Sequence, residues 1–168
     1  MKIDAIRESS GNYTVRASGA VAASARDVIA TFMDPEKSAA KLRDVRSCTA
    51  WEPQADGSVL ARYRMKPPAL DFDMYLKKEG AHAVRFWTPP TDNSWCVIRG
   101  TWRVRPVFFG RSFVSLEQTV EVRSAWLRAL PLQPVIRARV KNAFEDLREE
   151  PRTFLERLFS CVRSSEIR

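Results

Sequence analysis

One histidine, three cysteines and six glycines in 168 residues leave little for several kinds of chemistry. His82 stands alone in the turn segment KKEGAHA. Ser–His or Cys–His catalysis therefore lacks its base, and a histidine metal centre lacks a second ligand. Cys48, Cys96 and Cys161 are widely spaced and form no CxxC pair, which excludes zinc-ribbon and dithiol motifs. Thiols in this pattern suit a reducing soluble compartment, the cytoplasm or an organelle interior. No Gly-rich phosphate loop occurs. Apolar runs are short and broken by arginine, so no membrane-spanning helix is expected. The start MKIDAIRESS has no secretory h-region and is too acidic for a transit peptide. No metal and no cofactor are expected.

What the chain does have is oily material and arginine. It is 45% hydrophobic and 10% aromatic, the composition of one globular domain. Lys and Arg number 28 against 20 acids, for a net charge of +8. Arginine dominates those cations. Such an excess serves bidentate anion recognition, or reflects codon composition alone. The field favours anionic partners.

Hydrophobic periodicity orders the chain. Tyr13 to Val21 alternates as a strand, and Ser24 is a good N-cap for a helix through ARDVIATFMD. Val28, Ile29, Phe32 and Met33 share one face of that helix. Asp34-Pro35 stops or offsets it, and a short helical turn follows over Glu36 to Leu42. Period-two segments then run Val45 to Trp51, Ser58 to Lys66, Leu70 to Leu76, Ala83 to Trp87, Trp95 to Val107 and Ser112 to Val122. Pro134 opens a last helix carrying Ile136, Val140, Ala143 and Leu147, continued by Phe154 and Leu158 with a break near Pro151. Residues 1–12 read as an extension, 13–160 as one domain and 161–168 as a tail.

These elements predict an α+β fold: a curved antiparallel sheet of about seven strands wrapped on a long C-terminal helix, with one or two short helices after the first strand. A sheet with one apolar face must cover it, and only the last helix is long enough. Where sheet and helix diverge, an apolar cavity is expected.

That order resembles the START-related, birch-pollen-allergen-like helix-grip superfamily, which includes polyketide cyclases, lipid-transfer domains and coenzyme Q-binding proteins. The resemblance rests on AVAASARDVIATFMDPEKSAAKLRDVRSC and WCVIRGTWRVRPV and spans roughly Tyr13 to Leu158. PPALDFDMYL also resembles an uncharacterised plastid and cyanobacterial branch. The resemblance implies a cavity for a lipid, sterol, quinone, pigment or polyketide. The superfamily shares no catalytic motif, so no catalytic residue carries over.

Gln118 sits among Val114, Leu116, Val120 and Val122 on the inward face, where an amide needs partners. It orients a ligand or satisfies the backbone. Tyr63 and Trp102 combine an apolar body with one polar tip. Met65, Phe72, Met74, Phe86, Ile98, Val140 and Phe144 are cavity wall or plain core. Asp71 and Asp73 invite an acid–base reading, but cross-strand pairing with Arg62 and Arg64 accounts for them. Arg99, Arg103 and Arg105 can likewise face Glu117 and Glu121. The last helix offers Arg137, Arg139 and Lys141 to an anionic surface, or simply solvates them.

Three functions follow. The leading one is binding or transport of a small hydrophobic molecule, with nucleic acid disfavoured because the strand arginines are interleaved with acids. The second is a non-catalytic assembly subunit docking on a membrane surface or protein complex through its basic helix. The third is a cyclase- or hydrolase-like enzyme, for which no inward carboxylate or histidine is found.

Overall fold

The structure is a computed structural model that describes residues 1–67, 71–89 and 95–148. The expected continuation of the last helix through Phe154 and Leu158, the break at Pro151, Cys161 and the 161–168 tail lie outside those residues, as does Leu70.

Twelve elements are described: β1 Lys2–Arg7, β2 Tyr13–Val21, α1 Ala25–Met33, α2 Pro35–Ala39, β3 Val45–Ala50, β4 Val59–Met65, β5 Phe72–Glu79, β6 Ala83–Trp87, β7 Cys96–Pro106, β8 Ser112–Val122, α3 Ala125–Arg128 and α4 Gln133–Arg148. The eight strands form one antiparallel sheet in the order β1-β2-β8-β7-β6-β5-β4-β3. The eighth strand, beyond the seven expected, is β1. Its alternation puts Ile3 and Ala5 against the core while Lys2 and Ile6 face water.

Local chemistry explains the helix boundaries. The Ser24 hydroxyl oxygen accepts the Asp27 backbone N–H at 3.2 Å, and its O–H donates to the Asp27 carboxylate at 2.6 Å. That cap satisfies an otherwise orphaned donor of α1. At Asp34 the backbone leaves the helical region (φ −115°, ψ 80°), and the residue before proline favours such a departure. The Asp34 carboxylate then caps α2, accepting from the Lys37 backbone N–H at 3.1 Å.

Val15, Val84, Val104 and Val114 are fully shielded on the inner face of the sheet. The outer face carries ion pairs: Arg62–Asp73 at 2.7 Å, Arg64–Asp71 at 3.0 Å, and both Arg16 and Arg103 on Glu117. Such exposed pairs contribute about 0–1 kcal/mol each and set register more than stability. Helix α4 packs on β1 and β2, and α1 on β5, β6 and β7. Together they cover the apolar face.

A polar clasp holds the far half of α4 to the loop between α2 and β3. Arg43 donates from Nε to Asp146 Oδ1 at 2.6 Å and from its backbone N–H to Oδ2 at 2.9 Å. Asp44 pairs with Arg139 at 2.7 Å and accepts from Asn142 at 3.0 Å. Asp146 is buried, so this contact resists water better than the outer-face pairs.

Candidate ligand-binding interior

The nine apolar and aromatic residues proposed as cavity wall fall in one cluster. Tyr63, Phe86, Val140 and Phe144 are buried in it, and Met65, Phe72, Met74, Ile98 and Trp102 pack against it partly exposed. Its two ends differ.

At the β6–β7 end, aromatic rings fill the space. The Trp102 ring meets Phe32 at 4.8 Å, Phe144 at 5.4 Å and Phe86 at 6.5 Å between centroids. Gly100 makes this packing possible. A Cβ there would lie 2.5 Å from the Phe86 ring, 2.7 Å from Gln118 Cβ and 2.7 Å from the Glu117 carbonyl oxygen. Phe32 joins this cluster and is absent from the residues named as wall in the sequence reading, although its place on the apolar face of α1 is the available signal.

At the β3–β5 end the wall is softer and more open. Tyr63 stacks on Phe72 at 5.2 Å with a 20° interplanar angle. Met65, Met74, Met33 and Cys48 pack half-buried against the same cluster. Tyr63 itself is only 8% exposed, and its hydroxyl has no hydrogen-bond partner among the described residues. Burial, aided by Cys48, pushes the phenol above its ordinary range. The Cys48 thiol, opposite Tyr63 in the β3–β4 register, is pushed up to about 11 by burial and by the Glu36 charge. It stays protonated at neutral pH and is no activated nucleophile.

Gln118 is half-buried, with Val15 on one neighbouring strand and Gly100 on the other. Its amide also has no hydrogen-bond partner among the described residues. Four strand spacings separate β8 from β4 in the sheet. At about 4.8 Å per spacing, Gln118 and Tyr63 stand roughly 19 Å apart across the face. One compact ligand head cannot touch both.

The remaining candidates are engaged elsewhere. Asp71 is held below the ordinary carboxylate range by the Met65 N–H and then by Arg64, and Asp73 by Arg62. Both are outward-facing partners of arginine and remain ionised at neutral pH. Arg137 donates to the Ile3 carbonyl at 3.0 Å, Arg139 pairs with Asp44, and Lys141 lies 3.7 Å from Glu145. Two surface clefts, of about 320 and 540 Å³, lie beside β1 and beside the β5–β6 turn. Arg137 borders the first, and no member of the proposed wall borders either. Among the described residues, no group of three potential metal ligands occurs.

No protein-family model matches the chain, and no curated protein matches it. Solved structures do. A protein of Thermus thermophilus superimposes with a TM-score of 0.67 at 20% identity, over 81% of this chain and 94% of its own. A STAR-related lipid transfer protein fragment of Xanthomonas axonopodis gives 0.64 at 14% identity, over 89% and 98%. The Zhui aromatase/cyclase of a Streptomyces species gives 0.59 at 15% identity, over 81% and 86%. Identities this low speak to architecture. The chain thus has the START-like helix-grip fold, shared with a STAR-related lipid transfer protein and an aromatase/cyclase.

Proposed function

We propose that this protein binds a small hydrophobic molecule, such as a lipid, quinone, pigment or polyketide-like compound, between its sheet and its helices. The ligand sits at the β3–β5 end, against Tyr63, Met65, Phe72 and Met74. One observation carries this reading: a buried Tyr63 hydroxyl with no partner among the described residues, set in a half-exposed apolar wall. A hydroxyl removed from water without a hydrogen bond is costly. A ligand oxygen or nitrogen would supply the missing bond, while the methionines adapt to its apolar body. Each Å² of apolar ligand surface leaving water contributes about 25 cal/mol.

The structural neighbours support the same reading, since one is described as a lipid transfer protein and another as an aromatase/cyclase. Turnover is the weaker alternative, because the described acids near the wall are engaged: Asp71 and Asp73 face outward and are tied to arginine, and the exposed Glu36 accepts from the Ala50 backbone N–H at 2.9 Å.

Native mass spectrometry of gently purified protein tests the proposal. The expected result is a co-purified adduct, or uptake from a panel of lipids, quinones and aromatic polyketides, weakened by Tyr63→Phe. Protein that stays empty and takes up no member of the panel overturns it.

A further inference from the structure

We propose that the tip of the β7–β8 hairpin is a membrane anchor, in which Phe108 and Phe109 insert into the interfacial layer of an anionic bilayer and Arg105 and Arg111 meet lipid phosphates. The tip is separate from the interior wall, and its role does not depend on the interior ligand.

Phe108 is 83% exposed and Phe109 99% exposed, at the end of a hairpin built from two 11-residue strands. The loop closes through the Val107 N–H donating to the Arg111 carbonyl at 2.8 Å. Val107 adds a third exposed apolar side chain. Phe109 also has φ 61°, a left-handed backbone that favours glycine or asparagine and disfavours a bulky residue. Water-exposed aromatics in a costly turn conformation find no explanation in the stability of the fold.

The charge of the hairpin segment itself is of one sign. From Arg99 to Leu116 the chain holds four arginines and no acid. Arg103 is occupied by Glu117. Arg105 lies over the Phe113 ring at 5.5 Å, and among the described residues neither it nor Arg111 forms an ion pair. The antiparallel order brings the β5–β6 turn to the same end of the sheet, where Lys78 adds a cation and Glu79 is held by Arg85 at 3.7 Å. By contrast, Arg137, Arg139 and Lys141 on α4 are bound within the molecule. The hairpin tip thus carries two arginines without an acidic partner among the described residues, next to its exposed rings.

The tip's shape selects the partner. A convex point of two side chains offers far less than the ~800 Å² per side that a stable protein interface takes. A bilayer needs only a wedge: aromatic rings settle at the headgroup level, and nearby arginines gain from anionic lipid.

The test is sedimentation of the full chain with phosphatidylcholine vesicles, with and without phosphatidylserine. The wild type should bind the anionic vesicles and lose that binding at high salt. Phe108→Ser with Phe109→Asn should lower the partition by about tenfold or more, since each ring withdraws apolar area from the bilayer. Arg105→Glu with Arg111→Glu should abolish the preference for phosphatidylserine. Unchanged thermal midpoints would show that the variants fold. Absence of vesicle binding, or binding that survives either double variant, overturns the proposal. So does a concentration-dependent dimer in analytical ultracentrifugation that the phenylalanine variant abolishes, since the tip would then meet a second copy.

Discussion

Replacing Tyr63 by Phe separates stability from ligand binding, because the two respond in opposite directions. The ring is 8% exposed and stacked on Phe72, so Phe keeps the packing and removes only the hydroxyl. A buried hydroxyl without a partner costs about 1–3 kcal/mol relative to one that is satisfied. Part of that cost returns when the oxygen is deleted, about 1 kcal/mol if the wall closes on the gap. For a domain of this size, that raises the midpoint by about 2–4 °C. The ligand-bound form behaves differently. There the hydroxyl donates to the ligand, and losing one such bond weakens binding by about tenfold, the equivalent of about 1.4 kcal/mol. Calorimetry on ligand-free protein and a binding titration with whichever compound mass spectrometry finds give the two numbers. A midpoint lowered by several degrees in the ligand-free variant would refute the reasoning, because it would mean that the hydroxyl already holds a bond in the empty protein.

Three further substitutions or treatments probe the frame. Asp146→Ala strips Arg43 of two hydrogen bonds, one from its backbone, and should cost about 2 kcal/mol after discounting the half-exposed guanidinium; chemical denaturation measures it, and a double-mutant cycle with Arg43→Ala should show strong coupling. Gly100→Ala drives a methyl against the Phe86 ring and the Glu117 carbonyl oxygen, and should cost about 1–3 kcal/mol, as overpacked cores do; a thermal midpoint within 1 °C of wild type, where roughly 2–4 °C per kcal/mol is expected, would count against the packing described. Cys48 should alkylate slowly at pH 8 and faster as the pH climbs toward its raised value of about 11, followed by peptide mapping after iodoacetamide.

The strands were legible because their patterns are two-sided. Ser112–Val122 sets Val114, Leu116, Val120 and Val122 on one face against Ser115, Glu117, Thr119 and Glu121 on the other, and its observed bounds, like those of Ala83–Trp87, match the expected ones. Ser24 and Asp34-Pro35 marked helix ends through side-chain chemistry that acts within three residues. The outer-face pairs of Arg62 with Asp73 and Arg64 with Asp71 follow from register alone. Long-range features were not legible. β1 is a short, charged edge strand, and its six residues carry too little apolar signal to stand out. The clasp between Arg43 and Asp146 joins residues 103 apart, a distance no local pattern spans. Phe32 closing on Trp102 depends on where α1 lies over the sheet, which periodicity cannot specify. The same holds for the separation of Tyr63 and Gln118: each reads as an inward polar residue, but only strand order shows that they stand far apart.

The pairing of β2 with β8 has a consequence for how the protein is made. Tyr13 sits opposite Val120, so β2 must wait for β8, about a hundred residues later, before one of its flanks is covered. Closing a loop of about a hundred residues is entropically slow, and sheets dominated by such distant pairings fold in milliseconds to seconds. During synthesis the β1–β2 hairpin therefore shows a naked, valine-bearing margin to other nascent chains. A chaperone that shields this margin until Val122 emerges would be expected to govern yield more strongly than any single core contact.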